Sequence, residues 1–143
     1  MIRLLNNSKN DYNHFLNLIN QFRPTIFDYS QFVSRLQEIE TNGSEIWIHS
    51  DLSNNIVAIG SLIIEKKFIR NLAILGRIED IVVDNKVRNQ GIGSKIISHL
   101  ISRAKSKGCY KVRLTCQEKL QPFYQKLGFV SIDTSMSLCF DKK

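Results

Sequence analysis

The run Arg88-Asn-Gln-Gly91-Ile-Gly93 combines the residue types that an anion-binding loop needs. It follows a β-rich stretch, Gly76 to Asp84, and precedes a segment from about Gly91 to Lys107 with apolar residues at helical spacing. Consecutive N–H groups at a helix N-terminus point the same way, and the helix dipole adds to them. Gly91 and Gly93 lack Cβ atoms, so a phosphate can approach the backbone closely. Arg88 adds a fork of donors to phosphate oxygens. The run has neither the Gly-Lys-Ser/Thr ending of a Walker loop nor the GxGxxG of a dinucleotide fold, so nucleoside triphosphate and NAD readings lose ground. Just upstream, Glu79 and Asp80 are either solvated strand-end charges or carboxylates placed to take a proton from an amine.

The positive charge has a location. The net charge is +7, yet between Asp84 and Glu118 there is no acidic residue, and that stretch carries eight cations, Lys86 to Arg113. The rest of the chain nets −1. The alternatives are a solvated basic helix face, nucleic-acid binding, or a small polyphosphorylated ligand. Nucleic-acid signatures are missing: there is no zinc-finger spacing, no RRM-type aromatic motif, and Tyr110 is the lone aromatic of the segment. A small polyphosphorylated ligand fits the localised charge better.

With 143 residues the chain has length for one domain, residues 1–143. Apolar residues at 43% exclude intrinsic disorder. No apolar run approaches the ~20 residues of a membrane span, and no signal peptide opens the sequence, so neither membrane nor secretion is expected and the expected compartment is cytoplasmic. Cys109, Cys116 and Cys139 form no CxxC pair and are read as reduced thiols. His14, His49 and His99 stand alone, so no metal site is expected.

Periodicity places the elements. Ile2 to Leu5 reads as an opening strand. Ser8 or Asn10 caps a helix with apolar Phe15, Leu18, Ile19 and Phe22, and Pro24 ends that region. A second helix starts at Asp28 or Ser30 and buries Phe32, Val33, Leu36 and Ile39 before Asn42-Gly43. Strands follow at Glu45 to Ser50, from Ile56 onward, and over Gly76 to Asp84, with Asn71 to Leu75 connecting the last two. After the third helix, residues 109–116 alternate as a strand, a short helix spans Pro122 to Leu127, and a last strand is expected at Ser135 to Phe140. The order is βααβββαβαβ, an α/β (α+β) chain.

The RNQGIG run after IVVD resembles the acetyl-CoA pyrophosphate loop of the GNAT superfamily of N-acyltransferases, and Phe123-Tyr-Gln-Lys-Leu-Gly-Phe129 is similar to its FYxKxGF signature. Arg77-Ile-Glu-Asp-Ile-Val-Val83, Gly108-Cys-Tyr-Lys-Val112 and Thr115-Cys116 narrow the likeness. They resemble glucosamine-6-phosphate N-acetyltransferases, which typically read HIEDIVV, GCYK and LDC. The resemblance implies the GNAT fold, a central mixed, mostly antiparallel sheet flanked by helices. It implies direct acetyl transfer from acetyl-CoA, as co-substrate, to the amine of an amino-sugar phosphate, glucosamine 6-phosphate. The product is N-acetylglucosamine 6-phosphate for amino-sugar synthesis, and the enzyme is expected to be a homodimer.

The same resemblance distributes roles. The backbone of Ile81, Val82 and Val83 pairs with the pantetheine arm, and Arg88, Asn89, Gln90, Gly91, Ile92, Gly93 and Ser94 hold the pyrophosphate. Tyr124 gives a proton to the leaving thiolate. Glu79 and Asp80 face the sugar amine, with Glu79 as the base. Lys67, Phe68, Ile69, Arg70, Tyr110 and Lys111 line the sugar-phosphate site. Bland readings stand beside these: Tyr124 as a core aromatic, Lys67 and Arg70 as hairpin charges, Tyr110 as packing. Thr115 departs from the aspartate of LDC, Leu120 from a frequent asparagine, and Ser137-Leu138-Cys139 from a frequent arginine. Rival readings are a GNAT enzyme acting on a polyamine, peptide N-terminus or lysine, and a non-catalytic acyl-CoA-binding module.

Overall fold

In the computed structural model, which describes residues 1–141, β1 (Ile2–Leu4), β2 (Glu45–Ser50), β3 (Ile56–Lys66), β4 (Ile74–Val83) and β5 (Cys109–Arg113) form one sheet in that order. Neighbours from β1 to β4 run antiparallel, and β5 lies parallel to β4. Helices α1 (Lys9–Ile19) and α2 (Tyr29–Thr41) precede β2 in the chain, α3 (Ile69–Leu72) is a single turn in the β3–β4 hairpin, and α4 (Ile92–Ser106) and α5 (Gln121–Gln125) flank β5 in the chain. The expected mixed, mostly antiparallel sheet with helices around it is what forms.

Local chemistry explains the helix starts. The Ser8 hydroxyl accepts the Asp11 N–H, so Ser8 rather than Asn10 caps α1. Asp28, rather than Ser30, caps α2: its carboxylate accepts the Gln31 N–H, and the Gln31 side chain accepts the Asp28 N–H in a capping box. Phe22 was expected on the apolar face of α1, but the helix ends at Ile19 and Phe22 is 48% exposed.

The sheet buries an apolar layer on each face. Phe15, Leu18, Phe32 and Leu36 pack with Ile48, Ile59 and Val82 on one side. Ile96, Ile97, Leu100 and Ala104 of α4 pack with Leu62 and Ile78 on the other. Trp47 alternates away from Ile46 and Ile48 and joins the α4 side, as its strand pattern requires. Two buried carboxylates tie elements together. Asp11, 1% exposed, takes both Nη atoms of Arg3 at 2.8 Å, joining α1 to β1. Glu45 accepts from Arg103 Nη2 at 2.9 Å and from Trp47 Nε1 at 3.0 Å, joining β2 to α4.

The expected closing strand at Ser135 to Phe140 is not formed: residues 135–140 pair with no strand among the described residues. Met136, Leu138 and Phe140 are instead 91%, 80% and 94% exposed. Their alternation is that of a strand, but a strand needs a ladder partner, and the chain supplies none here. The strand expected over 109–116 also stops earlier, at Arg113. No helix among the described residues is long and apolar enough to cross a membrane.

Candidate active site

The site begins with a bulge. On β3, Ile59 and Ser61 are two residues apart, while their β4 partners Val82 and Glu79 are three apart, so β4 carries one extra residue. Asp80 takes it up in the left-handed region, φ 53°, which aspartate tolerates better than branched residues do. Phase is thereby reversed: Ile81 packs on the α4 side and Val82 on the opposite side. Gly60 sits across from the bulge, where a Cβ would come within 2.8 Å of both Ile81 Cδ1 and Leu100 Cδ1.

Beyond Arg77, on both sides of the bulge, β4 has an open edge. The parallel ladder with β5 ends at Arg77 and Arg113, so no β5 residue pairs with residues 78–83 among those described. The two strands part there, leaving a row of backbone donors and acceptors that an extended chain can join as an added strand. Ile81, Val82 and Val83 lie on this free edge.

The anion loop follows directly. Asp84 caps a 3-10 turn over Asn85–Val87, Asn89 is left-handed at φ 63°, and Gly91 at φ 79° caps α4 without a side chain. Lys95 N–H donates to Gly91 O at 3.1 Å, so the amides of Ile92, Gly93 and Ser94 belong to the first turn, whose donors have no partner within the helix. Gly93 lies under Val83 and Phe123, where a Cβ would make only ordinary contacts of 3.6 and 3.7 Å. Packing therefore does not require glycine at 93, whereas the backbone angle favours it at 91. Arg88 Nε donates to Val83 O at 3.1 Å and fastens the loop to the open strand. Arg88, Asn89 and Gln90 remain exposed.

Tyr124 sits on α5 between Phe123 and Phe129, with ring centroids 5.0 and 5.9 Å away. Burial raises its phenol pKa above the ordinary value, and a neighbouring Cys116 thiolate would push the same way. At neutral pH it is a proton donor. The core-aromatic reading and the donor reading coexist, because Tyr124 also lines a cavity of about 450 Å³. That cavity is bounded by Arg77, Arg113, Thr115, Cys116 and the tail from Phe129 to Ser135. A second cavity, about 570 Å³, opens between α1, α2 and the sheet and reaches Ser61 and Asp80.

Other expected site residues are spread. Glu79 faces Arg77, whose Nη2 lies 3.4 Å from Glu79 Oε1. Arg70 and Lys111 both lie over the Tyr110 ring, 5.0 and 5.4 Å from its centroid. Lys67 Nζ is 3.5 Å from Glu65. Phe68 and Ile69 are 91% and 66% exposed at the hairpin turn. None of these six residues of the expected sugar-phosphate set lines either of the two cavities. Arg77 and Arg113, which do, were not picked out as ligand-binding residues. The sequence marks Arg113 as one of the eight cations of the basic stretch and Arg77 as the first residue of the Arg77–Val83 stretch, and each alternates with a site candidate, Lys111 or Glu79, on its strand.

A model of the acetyltransferase (GNAT) family matches residues 12–129. This chain belongs to the GNAT family. Glucosamine 6-phosphate N-acetyltransferase from Arabidopsis thaliana is 39% identical over 132 residues, 89% of this chain and 88% of the relative. Glucosamine 6-phosphate N-acetyltransferase 1 from Oryza sativa subsp. japonica is 35% identical over 130 residues, 88% of this chain and 79% of the relative. The crystal structure of the Arabidopsis thaliana glucosamine-6-phosphate N-acetyltransferase superposes with a TM-score of 0.92 at 36% identity, covering 99% of this chain and 98% of that one. The GNAT fold expected from the sequence is present, and the open β4 edge and the α4 N-terminus suit the acetyl-CoA that this family uses.

Proposed function

We propose that this GNAT acetyltransferase moves the acetyl group of acetyl-CoA to the amine of glucosamine 6-phosphate, giving N-acetylglucosamine 6-phosphate for amino-sugar synthesis. The observation that carries the chemistry is the edge of β4 over residues 78–83, unpaired among the described residues and running into the anion loop at 88–94, with Tyr124 packed in the same cluster as Ile78 and Ile81. The acceptor identity is supported by the Arabidopsis and Oryza relatives, which carry that activity in their names.

In this reading the pyrophosphate rests on the amides of residues 91–94 with Arg88 beside it, and the pantetheine arm pairs with Ile81 to Val83. The amine nitrogen attacks the thioester carbon while Glu79, directly or through water, takes its proton. Backbone N–H groups at the Asp80 bulge hold the oxyanion. Collapse of the tetrahedral species breaks the C–S bond, and the Tyr124 phenol protonates the departing thiolate. No covalent enzyme intermediate is needed. Asp80 lies beside the acceptor, and the Lys67, Phe68, Ile69, Arg70, Tyr110 and Lys111 group forms the basic rim by which the sugar phosphate enters.

Residues 1–143 act as one catalytic domain, and two copies form a homodimer. Support for the dimer is the strand-like tail, whose Met136, Leu138 and Phe140 lie in solvent. Free Cys109, Cys116 and Cys139 support work in a reducing compartment, the cytosol. The test is acetyl-CoA turnover with glucosamine 6-phosphate, glucosamine, spermidine and a lysine peptide, corrected for a no-acceptor control. Strong preference for the sugar phosphate supports the reading. Preference for another amine overturns the acceptor, and acetyl-CoA binding without turnover on any of them overturns the enzyme.

A further inference from the structure

Between β4 and α4 the chain runs over the surface: residues 85, 86 and 88–91 are exposed, so packing does not place them and hydrogen bonds must. The first amides of this stretch are all taken. Asp84 N–H donates to Val57 O at 2.8 Å, which carries the β3–β4 ladder one step further. Asp84 in turn accepts Lys86 N–H on Oδ1 at 2.9 Å and Val87 N–H on its carbonyl at 3.0 Å. Asn85 N–H donates to Gln21 Oε1 at 3.0 Å. With the Arg88 contact to Val83 O, these bonds come from β3, β4 or the stretch itself, save one. Among the described residues, Gln21 alone reaches residues 84–90 with a hydrogen bond from another part of the fold, 64 positions away in the chain.

We infer that Gln21 is a positioning residue for the coenzyme, holding the approach to the anion loop so that the amides of residues 91–94 meet the pyrophosphate; this rests on the acetyl-CoA site proposed above. Gln21 is itself held. It sits on the turn that ends α1, with its own N–H on Leu18 O at 3.0 Å and the next two amides, Phe22 and Arg23, on Ile19 O at 3.0 Å each. Asn20 closes the same turn with its side chain: Nδ2 donates to Leu16 O at 2.8 Å and to Thr25 O at 3.0 Å, and Oδ1 accepts Thr25 N–H at 2.9 Å. α1 in turn packs Phe15 and Leu18 with Ile59 of β3 and Val82 of β4. The core thus carries α1, α1 carries the turn, and the turn presents an acceptor to Asn85. Without that acceptor the exposed Asn85 amide turns to water, so the fold survives while the loop gains freedom. Ordering the loop then falls to coenzyme binding, and only the part of the coenzyme that meets the loop is affected.

The test compares two acetyl donors, acetyl-CoA and S-acetylpantetheine, which has the same thioester and arm without the phosphates and nucleotide. The acceptor is whichever amine the assay above selects, and a thermal melt confirms that each variant is folded. Gln21→Met keeps an unbranched side chain of similar length and removes the acceptor oxygen. Its KM for acetyl-CoA is expected to rise about 2- to 10-fold, the loss of one hydrogen bond, at unchanged kcat, while kcat/KM for S-acetylpantetheine keeps its wild-type value. Asn20→Ala loosens the turn but leaves the Gln21 amide in place, and a smaller loss confined to acetyl-CoA is expected. An unchanged acetyl-CoA KM in Gln21→Met overturns the inference, and so do equal losses with both donors, which make the contact merely structural. A wild-type protein that uses the two donors equally well sinks the pyrophosphate site itself, and this inference with it.

Discussion

The guanidinium of Arg88 reaches back to the carbonyl of Val83, Nε to O at 3.1 Å, and so joins the anion loop to the last residue of the open strand. One side chain thereby links the two segments that the proposed acetyl-CoA site uses. Arg88→Ala is expected to weaken acetyl-CoA binding about 10-fold through the lost charge-assisted contact. Arg88→Lys, lacking the planar fork, recovers the charge but only part of the affinity. Calorimetric titration with acetyl-CoA measures both, and equal affinity in all three proteins refutes the role.

Tyr124→Phe keeps the ring contacts with Phe123 and Phe129 and deletes the phenol proton. A thiolate with a pKa near an ordinary thiol's ~8.5 leaves without full protonation, so the fall in kcat should be about 10²-fold, the low end for a general acid. Single-turnover rates at saturating acetyl-CoA report it, with the dissociation constant unchanged.

For Glu79→Gln the pH profile matters more than the size of the loss. Removing the base costs about 10²- to 10⁴-fold near neutrality. The deficit should narrow as pH rises past the acceptor amine's own pKa, because the amine then arrives already neutral. A deficit constant with pH would assign Glu79 to binding instead.

Gly60→Ala places a methyl 2.8 Å from Ile81 Cδ1 and Leu100 Cδ1. Both are side-chain tips, so the core shifts rather than breaks, at a cost of about 1–3 kcal/mol. A thermal melt should show a lower Tm, and acetyl-CoA should bind more weakly if, as proposed, it pairs with the strand that holds Ile81.

Stability should fall on mild acidification. Burial holds the His49 and His99 pKa values below the ordinary 6.5, with nearby cationic groups acting the same way. A lowered folded-state value means that the unfolded chain binds the proton more tightly, so the stabilisation is present above 6.5 and is lost as pH falls through the folded-state values. His99→Gln, beside Trp47 with ring centroids 4.1 Å apart in the native protein, should flatten part of that slope in denaturant titrations between pH 7 and 5. Asp11 and Glu45 act at lower pH. Burial alone would raise them, but Arg3 and the Asn6 amide hold Asp11 down, and Arg103, Lys107 and Trp47 hold Glu45 down, so their contributions disappear only below the ordinary carboxylate range.

Much of this protein was legible from local chemistry. The Arg88-to-Gly93 run announced itself because glycine and arginine spacing before a helix is a property of consecutive residues, whereas the left-handed angle of Gly91 came from the structure. The two helix starts, each narrowed to two cap candidates, and the apolar stripe of α4 were readable for the same reason: caps and helical periods span a few residues. The closing strand failed because residues 135–140 carry the alternation but not the partner, and pairing is not a local property.

Tertiary structure alone decided three things. It placed the β4 bulge at Asp80, which reversed the phase of the strand so that Ile81 faces α4 and Val82 the other side, since a bulge exists only relative to β3. It set Arg77 against Arg113, 36 positions apart in the chain, because register between parallel strands depends on how the α4 crossover packs. And it gathered Lys111 and Arg70 on Tyr110 while leaving them off the Tyr124 cavity. Residue types and spacing determined which chemistry this chain can perform; the ladder contacts between distant strands determined where in space that chemistry meets.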